Sequence, residues 1–180
     1  MSAEGKKDEV KWERWQKRRV FVREVAGVYA TAFQELLDQP RVYKSKEVPF
    51  HGGPSRFGKP VITPQRTPIT QTVEAVIDVL GPGSYGQKHG HMNSAIFYIL
   101  DGKGYDVHDG VRYDWEEGDS CIVENGCVHQ HFNGNKDRPA RYAVFKAKPL
   151  FLFFNLLFQK NVDYPPVDAQ PGWEDFWPED

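Results

Sequence analysis

Residues 95–123 read AIFYILDGKGYDVHDGVRYDWEEGDSCIV. Within this stretch Ala95–Leu100, Tyr105–His108, Val111–Trp115 and Ser120–Val123 are short runs rich in β-branched or aromatic residues. Such side chains suit a pleated, half-buried surface. The runs are separated by Asp101-Gly102, Asp109-Gly110 and Glu117-Gly118-Asp119. Glycine after aspartate supplies the positive φ that tight turns need, so Asp109-Gly110 between two strand-like runs predicts a two-residue hairpin.

The same texture extends on both sides. Thr72–Leu80 precedes it, bounded by Gly81-Pro82-Gly83, and His129–Phe132 and Arg141–Lys146 follow, framed by Asn125-Gly126 and Asn133-Gly134-Asn135. Seven short strands at this spacing, with no helical period between them, predict an all-β sandwich or barrel over residues 72–148. Before it the pattern differs. Apolar residues recur at 12, 15, 22, 26, 29, 33 and 36, the three-four alternation of an amphipathic helix, or of two helices meeting near Val20 or Gly27. Pro40 ends it. Residues 1–45 are therefore expected to be a helical extension laid on its own barrel, with a coiled-coil partner as the other reading. Residues 46–71, rich in proline and glycine, are expected to be a long connection. His51 sits in it and reads as a surface polar group.

Residues 149–180 hold an apolar segment, Pro149 to Phe158, and an arm carrying Tyr164, Trp173, Phe176 and Trp177. The segment is too apolar to face water and too short to span a bilayer. The expectation is that it buries itself against the amino-terminal helix or another subunit, with the arm's rings packed on a neighbouring surface. A homodimer is the economical arrangement.

Composition narrows the function. A formal charge of −2 over 180 residues leaves no electrostatic footprint for nucleic acid or an anionic membrane. Two cysteines six apart, Cys121 and Cys127, make no disulfide framework and read as small buried hydrophobes. The first residues lack the apolar stretch of a signal peptide, so a cytoplasmic protein is expected.

The chemistry gathers in histidine. Four of the six fall in two pairs, His89-Gly90-His91 and His129-Gln130-His131. In a strand, residues i and i+2 project from one face, so each pair presents two imidazoles to one side. Two neighbouring strands could bring three nitrogens to one point, a donor set suited to Zn, Fe, Cu or Ni. The bland alternative is one ligating pair and one pair of surface polar residues.

Gly83 through His91, a glycine, five residues and His-x-His, resembles the first motif of the cupins, and Ile96 through Gly104 continues it. Gly118 through Asn133 resembles the second motif, with His129 and Asn133 at the expected spacing and Glu124 where proline is usual. The resemblance implies a double-sheet jelly-roll barrel, with His89, His91 and His129 as the ligands of one divalent metal. Ala95 stands where the first motif normally has a ligand glutamate. The resulting three-histidine pattern is similar to gentisate- and salicylate-type and diketone-cleaving dioxygenases. It implies Fe(II), with Zn, Mn or Ni as alternatives, a small oxygen-chelating substrate and dioxygen. A redox-silent lyase or isomerase, or a non-catalytic binding cupin, remains the competing reading.

Gentisate-type enzymes carry an inward arginine where this chain has Phe97. With Ala95 and Ile99, Phe97 predicts an apolar substrate wall suited to rings without a carboxylate or to diketones, unless Arg66 or Arg141 supplies the charge. Gln87 and His131 share the inward phase of the ligands and are expected to handle protons or bound oxygen. His108 and Tyr105, beside the hairpin, are expected to do no chemistry.

Overall fold

The computed structural model describes residues 29–67 and 72–179, in two compact units that divide after Pro40. In the first unit helix α1, Tyr29–Leu37, forms the end of the expected amphipathic stretch. The rest of that expectation, residues 12–28, lies outside the described residues. Among the described residues no helix is long and apolar enough to cross a membrane.

The second unit is almost entirely β. Its strands are β1 His51–Gly52, β2 Arg56–Ile62, β3 Glu74–Leu80, β4 Lys88–His91, β5 Ala95–Asp101 and β6 Lys103–His108. They continue with β7 Val111–Glu116, β8 Ser120–Val123, β9 Val128–Asn133, β10 Ala140–Lys146 and β11 Gln159–Asp163. A short helix α2, Lys148–Phe153, separates β10 from β11. Two antiparallel sheets result, ordered β1-β2-β3-β10-β5-β8 and β11-β4-β9-β6-β7. This is a double-sheet jelly roll.

The hairpin forms as its turn chemistry requires: His108 pairs with Val111, and Asp109 and Gly110 have φ of 47° and 90°. Gly104 is needed for a different reason. A Cβ there would fall 2.1 Å from the Phe132 carbonyl oxygen and 2.4 Å from the Trp115 ring. Asn133 closes the far end of β9, donating from Nδ2 to the carbonyls of Gly81 and Arg138 and accepting the Asn135 N–H at Oδ1.

Alternation sets the core. Along β5, Ala95, Phe97 and Ile99 point inward while Ile96, Tyr98 and Leu100 remain exposed. The inward residues join Leu80, Trp115, Val123, Tyr142 and Val144 in one apolar cluster. Burying side chains of this size contributes about 1.5–3 kcal/mol each.

Two expectations about the bounds of the barrel need correction. The connection at 46–71 contains β1 and β2, and β2 pairs with β3 along most of its length. The carboxyl-terminal region supplies β11, which pairs with β4, so the barrel takes strands from beyond 72–148 on both sides. The barrel does not cover the apolar segment, where Leu152, Phe153, Phe154, Leu156 and Phe158 are all exposed, as a segment that packs against another subunit would be. The arm packs on its own barrel, where the rings of Phe176 and Trp177 meet Phe57 edge-on at 5.6 and 5.2 Å.

Candidate metal centre

Strands β4 and β9 lie side by side with His89 directly opposite His129. His91, two residues on, shares the face of His89. One ring nitrogen from each of His89, His91 and His129 lies within 4.8 Å of the others. The backbone fixes which nitrogen each ring offers. His89 Nδ1 is 3.0 Å from the carbonyl of its neighbour Gln87, His91 Nδ1 is 2.6 Å from that of Asn93, and His129 Nδ1 is 3.3 Å from that of Cys127. A carbonyl only accepts, so each Nδ1 carries the hydrogen and each Nε2 keeps its lone pair. Burial also disfavours the charged forms. It pushes His89 down to about 4 and His129 to about 2, and it lowers His91 in the same direction. Three neutral imidazoles with free Nε2 lone pairs are the protonation state that metal binding requires, so the residues fit a divalent metal.

The triad opens on a cavity of about 450 Å³ between the sheets. The wall across from the histidines changes character along its width. Ala95, Phe97, Val76 and Val144 make it apolar, while Arg56 and Lys146 bring positive charge. Arg56 is paired with Asp78, one terminal nitrogen lying 2.7 Å from both carboxylate oxygens. Lys146 is more loosely held, with Nζ 3.7 Å from Glu74 Oε1. Burial lowers its pKa, and its charge in turn helps to depress His89 and His91. The wall is thus not the uniformly apolar surface read from Phe97. Ile99 is fully buried in the core and lies off the cavity wall. Arg66 and Arg141 lie outside the cavity, donating to the carbonyls of Glu47 and Glu179.

Gln87 and His131 both line the cavity. His131 continues the row of inward imidazoles on β9, its ring centroid 5.3 Å from that of His129. His51, on β1, sits exposed at the cavity mouth.

Behind His131 lies a residue that sequence reading passed over. Asp106, buried on β6, has Oδ1 2.9 Å from His131 Nδ1 and accepts the Trp115 indole N–H at 2.9 Å. Its Oδ2 is 3.3 Å from His108 Nε2, and His108 Nδ1 is 3.1 Å from Glu124 Oε2. His108 is a buried imidazole held between two carboxylates, which raise its pKa. The ring donors hold Asp106 well below the ordinary carboxylate range, against the opposing effect of its burial. Asp106 shares the phase of Gly104 and His108 on β6, but alternation alone does not say which face of that strand is buried.

His108, Glu124 and Cys127 also lie close enough together to suggest a second cation site. Both His108 nitrogens already face carboxylates, so the group reads as an ion pair. Cys127 is buried, as expected, while Cys121 is only partly buried against the core. Burial pushes both thiols up to about 12.

Residues 76–146 match the cupin domain family. The chain is 30% identical over 70 residues to a 5-aminosalicylate 1,2-dioxygenase of Comamonas sp., covering 39% of this chain and 19% of that one. It is 23% identical over 167 residues to a 1-hydroxy-2-naphthoate 1,2-dioxygenase of Nocardioides sp. strain KP7, covering 89% and 41% respectively. With the acireductone dioxygenase of Yarrowia lipolytica it shares 26% identity over 159 residues, 85% of this chain and 80% of that one. Among solved structures, salicylate 1,2-dioxygenase from Pseudoaminobacter salicylatoxidans superposes with a TM-score of 0.55 at 16% identity, over 65% of this chain and 31% of the other. That likeness speaks for the fold alone. The chain spans less than half the length of the two aromatic-acid dioxygenases among its curated relatives.

Proposed function

The chain carries a cupin domain over residues 76–146, and on that premise we propose that it is an iron(II)-dependent dioxygenase that cleaves a C–C bond of a small substrate chelating through two oxygens. The observation that carries this reading is the triad itself. Three histidines have Nδ1 committed to backbone carbonyls and Nε2 free, at the wall of a substrate-sized cavity. Iron held there would supply open coordination positions and one-electron chemistry toward dioxygen.

The chain's own residues do the rest. Ala95, Phe97, Val76 and Val144 offer an apolar surface for a ring or acyl group and keep water from it. Lys146, with Arg56 beside it, offers a positive group to a carboxylate on the substrate. This favours a hydroxyaromatic acid over an uncharged diketone, reversing the preference read from Phe97 alone. His131 and Gln87 face the same space with groups able to accept or donate a hydrogen bond to a substrate hydroxyl.

The test is product analysis under labelled dioxygen. Iron-loaded protein should convert a member of a hydroxybenzoate and hydroxynaphthoate panel to a ring-opened product carrying two ¹⁸O atoms. Ring-opened product labelled from water instead, or conversion only of substrates that lose no C–C bond, would refute the reading.

A further inference from the structure

We propose that Asp106 is a positioning residue for the cavity, holding His131 as the Nδ1–H tautomer with its Nε2 edge turned to the bound substrate. The inference rests on the cavity being the substrate site. A carboxylate has no hydrogen to give, so the His131 nitrogen 2.9 Å from Asp106 Oδ1 must be the donor. Because His131 also lines the cavity, the opposite edge of its ring, with Nε2, is the one left to face it. In its neutral form His131 is thereby presented as a hydrogen-bond acceptor beside the triad.

The carboxylate is itself unable to turn. Donors from three strands grip it: Trp115 Nε1 on β7 and His131 Nδ1 on β9 at one oxygen, and His108 Nε2 on β6 at the other. The imidazole is confined as well, with the rings of Phe97 and Tyr142 at 5.1 and 5.8 Å. A carboxylate needed only to neutralise His108 would not require a second imidazole on its other oxygen. The arrangement instead transmits a fixed orientation from the core to one cavity-facing nitrogen.

The experiment uses the full-length zinc-loaded protein, which is diamagnetic, and long-range ¹H–¹⁵N correlation of the His131 ring at neutral pH. The wild type should show hydrogen on Nδ1 and none on Nε2. Asp106→Leu, which removes the acceptor altogether, should let the hydrogen appear on Nε2 while metal stays bound. In the iron form it should lower kcat by about a hundredfold, the range of a misplaced proton-transfer group, with KM within about twofold. Trp115→Phe, which leaves the Asp106–His131 contact in place, should keep the wild-type tautomer. Hydrogen found on His131 Nε2 in the wild type would overturn the proposal, and this needs no variant to fold. An Asp106→Leu protein with the tautomer switched but kcat unchanged would overturn it equally. Failure of the dioxygenase reading looks different: no substrate turned over by any form, with the tautomer as described.

Discussion

His89 and His129 face each other across β4 and β9 as a directly opposed pair, their ring centroids 4.3 Å apart. Two neutral imidazoles at that distance, joined by His91 from the next inward position, make a cluster whose ring nitrogens could hold a metal ion. Replacing His89, His91 or His129 singly with alanine should remove most of the metal from purified protein, because two imidazoles with no carboxylate partner hold a divalent ion weakly. His131→Ala should keep close to one metal per chain. Metal analysis of the four variants decides this. Full metal in His129→Ala together with its loss in His131→Ala would move the site one pair along β9.

The depressed pKa values carry a stability consequence. Unfolded, these histidines take up protons near 6.5, whereas folded His89 does so only near 4 and His129 near 2. Between those limits the unfolded state binds more protons, so stability rises with pH. Metal-free protein should therefore lose melting temperature steadily as pH falls from about 6.5 toward about 5, before most carboxylates titrate. His108, whose pKa is raised, acts with the opposite sign and above that window. Thermal melts of the metal-free wild type and of His129→Leu give the comparison. An equally steep slope in the variant would show that the triad is not its source.

Lys146 should discriminate among substrates. Lys146→Gln should raise KM for a hydroxyaromatic acid by about tenfold or more, the equivalent of losing one charge-assisted hydrogen bond. KM for a neutral β-diketone should stay within about twofold on the same scale. Steady-state kinetics, or equilibrium binding to the zinc form, measures both. Equal effects on the two classes would mean that Lys146 supports the wall without touching a carboxylate.

The exposed rings after α2 predict association. Phe153 is 78% exposed, with Phe154 beside it, and apolar surface of this kind usually marks a contact with another molecule. The protein should sediment as a dimer, and Phe153→Ser with Phe154→Ser should shift it to monomer. A wild type that is monomeric at every concentration would contradict this.

The parts of the molecule legible in its sequence are those framed by turn residues. Strands β5 to β9 announced themselves as short β-branched or aromatic runs between glycine turns, and the two His-x-His pairs followed from the two-residue period of a strand. Strand β2 was hidden because Gly58 and Pro60 look like turn formers. It tolerates proline because β1 pairs with it only at Phe57 and Gly58, and a register shift follows Pro60. Strand β11 was hidden by its uniformly exposed side chains, which leave no period to read. The triad was legible from spacing and resemblance, whereas Asp106 and Lys146 were not. Each is a single charge on a strand, and only the pairing of that strand with its neighbours shows whether it meets solvent or a buried imidazole.

Oxygen uptake tests the central claim most directly. Protein loaded with iron(II), and separately with zinc, should be compared in an oxygen electrode with hydroxyaromatic acids, hydroquinones and diketones. Uptake of one dioxygen per substrate, confined to the iron form and abolished in His129→Ala, is the predicted result. Substrate consumption by the zinc form without oxygen, at the rate of the iron form, would contradict it and make the protein a redox-silent cupin.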